Sequence, residues 1–183
     1  LPWLIAAILT FLILTAGGAI LWSSSQKKQY DTAASAYEKQ VSSTFASISG
    51  NPQNTEEYKV YLEESAASLE NALASKPNQP KLLWLSPAPK DEVARVNELS
   101  NAVTDLKTAM QQYRAFLTYR DGVLEAVKSS IGKISTVDQM REAKTNMEAT
   151  QSTIKGLKPP KCLESHQQKQ VSIYDNLTKI MSE

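Results

Sequence analysis

Residues 1–28 read LPWLIAAILTFLILTAGGAILWSSSQKK, and the first charged side chain is Lys27. Between Trp3 and Trp22 ten residues are large apolar ones: Leu4, Ile5, Ile8, Leu9, Phe11, Leu12, Ile13, Leu14, Ile20 and Leu21. At about −0.3 to −0.6 kcal/mol for each, insertion into a bilayer is favoured by roughly 3–6 kcal/mol with no charge to oppose it. As a helix, residues 1–22 would be about 33 Å long, against a hydrocarbon core of about 30 Å. Trp3 and Trp22 fall at the two ends, where indole rings prefer the interface. Pro2 suits a first helical turn, because its missing N–H would be unpaired there in any case.

A cleaved signal peptide is the rival reading, with the small residues of TAGGA at 15–19 offering a cleavage site. Ile20, Leu21 and Trp22 continue the apolar run past that site, beyond the ~7–15 residues of a secretory core segment. The expectation is therefore an uncleaved membrane anchor over residues 1–24, with Trp3, Trp22, Lys27, Lys28 and Tyr30 at the membrane interface. Lys27 and Lys28, the nearest visible positive charges, would by themselves hold the following chain on the cytoplasmic side. An apolar segment followed by one long polar domain has the layout of a signal anchor, which puts residues 25–183 outside the cytoplasm at the cell membrane.

The remaining ~160 residues suffice for one domain or two small ones. Lys and Arg number 20 against 19 Asp and Glu, a formal net charge of +1, and they are interspersed. That pattern gives no basic footprint for nucleic acid. Ala, Ser, Gln, Glu, Lys and Leu dominate, Gly is scarce, and no run alternates as a half-buried strand, so the chain reads as all-α.

Five helices follow from the periodicity. Tyr30, Ala33, Tyr37, Val41, Phe45 and Ile48 form one stripe, stopped by Gly50-Asn51-Pro52. Asn54 and Glu57 have the spacing of a capping box for a second helix, whose stripe is Tyr58, Leu62, Ser65, Leu69, Ala72 and Leu73 and which ends at Lys76-Pro77. The third carries the longest seam: Val96, Leu99, Val103, Leu106, Met110, Tyr113 and Leu117, then Leu124, Val127, Ile131 and Ile134. It is expected from about residue 91 to 131, with Gly132 as a C′ residue and Asp121-Gly122 as a point of softening or a break. A fourth opens at Ser135 or Thr136, runs along Val137, Met140, Ala143, Met147, Ile154 and Leu157, and ends near Gly156 and Pro159-Pro160. A fifth starts near Lys161 with Leu163, Gln167, Gln170, Tyr174, Leu177 and Met181 as its seam.

The predicted fold is a transmembrane helix followed by an elongated antiparallel helical bundle with one long central helix. Two three-helix bundles would share that helix, a membrane-proximal part over 25–119 and a distal part over 120–183. Arg120, which breaks the seam, would sit at the junction where a charge reaches water.

Few segments point to chemistry. The linker PNQPKLLWLSPAP at 77–89 holds four consecutive apolar residues, Leu82, Leu83, Trp84 and Leu85, between prolines. An apolar loop needs a cover: its own bundle end, a membrane, or a partner protein. Cys162, the only cysteine, has no internal disulfide partner, and with His166 four residues on it has the spacing of two metal ligands. No further His or Cys exists to complete a set, so no metal and no cofactor are expected. One His, no Gly-rich phosphate loop, no H-E-x-x-H and no G-x-S-x-G leave catalysis without a constellation, and no small-molecule substrate is evident. Asn176-Leu177-Thr178 matches a glycosylation triplet but falls on a helix. Small residues within the apolar run, Ala6 to Ala19, leave room for helix–helix approach without a G-x-x-x-G.

An apolar N-terminal helix running into a polar domain is similar to the layout of type IV pilin-like subunits. The chain departs from that pattern in having no acidic residue near position five and no strand signal. The function expected is a non-catalytic binding or scaffolding module, single-pass and membrane-anchored, with lipid and a protein partner or self-association as its contacts. The alternatives are a filament or membrane-assembly subunit and a sensor ectodomain.

Overall fold

The computed structural model describes residues 2–48, 50–80, 89–128, 132 and 134–182, with side chains from residue 22 onward and, in the third helix, from residue 90. The elements are α1 (Pro2–Ser47), α2 (Thr55–Ala74), α3 (Pro89–Lys128), α4 (Val137–Gly156), a 3₁₀ turn (Lys161–Leu163) and α5 (Glu164–Ile180). Among the described residues there is no strand. The chain divides into two units: Leu1–Asn51 with Glu64–Thr108, and Pro52–Glu63 with Ala109–Glu183. Helices α2 and α3 each contribute to both.

α1 is one helix of 46 residues that starts in the apolar run. The side chains of residues 1–21, Trp3 among them, lie outside the described residues. Among the described residues no helix is long and apolar enough to cross a membrane.

In the first unit α1 buries Tyr30, Ala34, Tyr37, Val41 and Thr44, a clean alternation of four and three. Two positions differ from the expected stripe. Ala34 replaces Ala33, and Thr44 replaces Phe45, which is 40% exposed. Thr44 tolerates burial because its hydroxyl donates to the Gln40 carbonyl at 2.9 Å, satisfying itself within its own helix. Opposite lie Ser65, Ala66, Leu69 and Ala72 of α2 and Val93, Val96, Ser100 and Val103 of α3. Arg95 pairs with Glu38 at 2.8 Å and Lys107 with Glu70 at 3.6 Å around this core. As surface pairs these add little stability.

The start of α2 is fixed locally. The Glu57 N–H donates to Asn54 Oδ1 at 2.9 Å, and the Glu57 carboxylate accepts from the Gln53 N–H at 2.8 Å. This is a capping box in which the carboxylate reaches one residue further back than the standard form. Thr136 opens α4 in the same way. Its hydroxyl accepts from the Gln139 N–H at 3.2 Å, while Gln139 Oε1 accepts from the Ser135 N–H at 2.8 Å.

In the second unit α3 has helices on two opposite sides. Leu117 continues the seam toward the first turns of α2, whereas Tyr119, Gly122 and Ala126, roughly 140–200° further round, face α4 and α5. α3 stays helical through Asp121-Gly122. Gly122 serves close approach there: a Cβ at this position would lie 2.7 Å from Leu157 Cδ2. Leu124, expected in the seam, is 53% exposed. The antiparallel α2 begins at Thr55, opposite Arg120, so one turn later Leu124 lies beyond the start of α2.

Ala126, Ile154 and Tyr174 form a buried cluster flanked by Val127, Met147 and Val171. Thr150 is buried beside it and donates to the Ala126 carbonyl at 3.1 Å. Val137 and Met140, expected on the α4 stripe, are exposed, as is Leu177 on α5. Gln167 Nε2 donates to the carbonyls of Ile154 at 2.7 Å and Leu157 at 2.8 Å. It closes the C-terminal end of α4, where helix carbonyls lack partners. That end is formed by Leu157 in an extended conformation. Among the described residues no glycine has positive φ, so neither Gly132 nor Gly156 acts as a left-handed cap.

Candidate binding cleft

Pro52, Gln53, Asn54, Thr55 and Tyr58, at the start of α2, line an open cleft of about 320 Å³ with Tyr113, Leu117 and Arg120 of α3. All eight residues belong to the second unit. Leu117 is buried, while Tyr58 and Tyr113 are 37% and 47% exposed. The two rings meet edge to face at 5.9 Å, and Phe116 stacks on Tyr113 at the same centroid distance. Aromatic pairs in these arrangements are favoured by their quadrupoles, so the rings arrive as a preformed surface.

Arg120 is held in place. Its Nε and Nη2 donate to Asp121 Oδ1 at 2.9 and 2.7 Å, and Nη2 also donates to Thr55 Oγ1 at 3.1 Å. The other carboxylate oxygen, Asp121 Oδ2, takes Lys59 at 2.8 Å, and Lys59 in turn pairs with Glu56 at 2.7 Å. The Lys59 bond, with help from Arg120, holds the Asp121 carboxyl below the usual carboxylate range. The same bond, with that to Glu56, raises the Lys59 ammonium.

A pH dependence follows. Because Asp121 has a lower pKa folded than unfolded, its stabilisation is complete above the unfolded value of about 3.9 and is lost as pH falls through the lower folded value. Asp121→Asn is expected to flatten the acid limb of the stability–pH curve below about pH 4. Urea unfolding at pH 7 and pH 3 checks this, and an equal pH response in variant and parent would refute it.

The interface positions expected from sequence fall as follows. Trp22 is exposed, Lys28 is exposed and Lys27 half-buried on α1. Tyr30 is buried at 4% exposure in the first-unit core. Burial, with Glu92 and Asp31 nearby, pushes its phenol pKa up. Trp3 lies in α1, its side chain outside those described, and Leu82, Leu83, Trp84 and Leu85 lie outside the described residues. Cys162 is a free, exposed thiol. His166 turns to α3, its Nδ1 3.4 Å from the Tyr119 hydroxyl and the rings edge to face at 6.3 Å. Among the described residues no group of three or more His, Cys, Asp or Glu could hold a metal ion.

The cleft was not legible as a site. Tyr58 and Tyr113 read as seam residues and Arg120 as a seam break. The usable signal was their coincidence: two tyrosines and an arginine on the sides of α2 and α3 that meet, beside a strong helix cap.

No protein-family model matches the chain, and no curated protein or solved structure does either. Fold and cleft define its class: a protein of two units, helical throughout its described elements, with an aromatic, arginine-bearing cleft in the second.

Proposed function

We propose that this chain is a membrane-anchored helical module that binds or scaffolds another protein without catalysis. The observation that carries the reading is α1, a single helix from Pro2 to Ser47 that joins the apolar run to the buried stripe of the first unit. Such a helix ties the position of a packed unit to the fate of its apolar end. The cleft supplies the binding side. Tyr and Arg are among the residue types enriched in protein-binding hot spots, and here they line one concave surface.

The test is flotation of the full chain with phospholipid vesicles, beside a variant lacking residues 1–22. The full chain is expected to float with lipid and resist carbonate extraction, and the shortened chain to stay at the bottom. Equal partitioning of the two would overturn the anchor. Detergent-solubilised chain that forms polymers under negative stain would replace the module by a filament subunit.

A further inference from the structure

The cleft at the start of α2 has a chemistry that selects its occupant. Its charges are balanced in pairs, Lys59 and Arg120 against Asp121 and Glu56, at 2.7–2.8 Å. These four charges sum to zero, so the group carries no net charge to attract an anion. Both oxygens of Asp121 are committed, Oδ1 to Arg120 and Oδ2 to Lys59. Asp121 is not among the residues that line the cleft, so its carboxylate is not presented to an occupant.

What the lining adds is donors and ring faces. Arg120 engages its neighbours through Nε and Nη2, and its Nη1 carries two further N–H groups. Tyr58 and Tyr113 bring phenolic hydroxyls and exposed rings. The matching ligand is uncharged, rich in acceptors, poor in donors, and apolar on its flanks. An extended proline-rich segment has these properties: its carbonyls make no internal hydrogen bonds, each proline lacks an N–H, and prolyl rings pack on aromatic faces. Such a segment is already extended before binding, so a shallow cleft holds it at little cost in ordering.

We propose that the Tyr58–Tyr113–Arg120 cleft docks a proline-rich, polyproline-II segment of a protein partner. The proposal rests on the binding-module reading and names the partner's chemistry.

The experiment uses the full chain in detergent micelles and fluorescence anisotropy of a labelled ten-proline peptide, with a Gly-Ser peptide of equal length as control. Saturable binding of the proline peptide alone is expected. Tyr113→Ala should weaken it about tenfold or more, as truncation of a hot-spot ring does, while Tyr113→Phe, which keeps the ring, should retain most of it. Tyr113 is 47% exposed and outside the buried core, and unchanged helical circular dichroism in both variants separates lost docking from lost folding. No saturation up to about 1 mM peptide, an affinity floor of roughly 4 kcal/mol, would overturn the proposal. So would equal binding of the Gly-Ser peptide, or binding that Tyr113→Ala leaves unchanged. A photo-crosslinker at position 113 keeps the two readings apart. Capture of a partner at a segment without proline would end this inference and leave the binding module standing, whereas failed flotation ends the anchor and leaves the cleft.

Discussion

Ile154→Ala is expected to lower the unfolding free energy by about 2–5 kcal/mol. Ile154 has no solvent exposure and sits between Ala126 of α3 and Tyr174 of α5, with Met147 and Val171 alongside. Truncation removes the transfer energy of three carbons and leaves a cavity that three helices must close on to refill. Ile154→Val, which removes one methyl group, should cost about 0.5–1.5 kcal/mol. Ile180→Ala is the control: that side chain is 68% exposed, and its loss should stay within about 0.5 kcal/mol. Urea unfolding reads all three as shifts of midpoint at constant slope. A loss below 1 kcal/mol for Ile154→Ala would mean that α3, α4 and α5 do not share a core.

Gln167→Ala should cost about 1–3 kcal/mol, a large effect for a glutamine. One amide nitrogen serves two carbonyls, those of Ile154 and Leu157, and both lie where α4 ends. Removing it takes this partner from the Leu157 carbonyl, while the Ile154 carbonyl keeps the Leu157 N–H at 3.2 Å. Gln167 is half-buried, so water recovers part of the loss and the lower half of the range is expected. Gln167→Met keeps the length and apolar contact but donates nothing, and it should lose nearly as much. If the methionine variant were as stable as the parent, the contribution of Gln167 would be packing and not hydrogen bonding. Gln170, three residues on and also polar in the expected seam, is the comparison: Gln170→Ala should be close to neutral.

The Gln167 case shows why some positions resist reading from sequence. A glutamine in a heptad seam reads as a weak spot, and here it is a cap for another helix. Thr150 is similar, since it occupies the inward position between Met147 and Ile154 and bonds across to α3. Neither role has a local signature, because the partner carbonyl belongs to a different helix or the far end of a turn. Tyr58 and Tyr113 fail in the opposite direction. Their spacing fits a buried stripe, yet they line an open cleft, because α2 starts beside them.

Sequence alone determined the helical class, the order of the five segments and the capped starts of α2 and α4. These depend on interactions within a few residues: the Asn54–Glu57 and Thr136–Gln139 caps, the breaks at Gly50-Asn51-Pro52 and Pro159-Pro160, the 3.5-residue recurrence along α3. Tertiary structure alone decided which side of each helix is covered and by what. Periodicity says which residues share a face but not how many partners surround it. In α3 the face toward α2 ends at Arg120, while Tyr119, Gly122 and Ala126 open a second face toward α4 and α5. Past the start of α2, the apolar Leu124 is left 53% exposed, and at that start the cleft opens over Leu117 and Arg120.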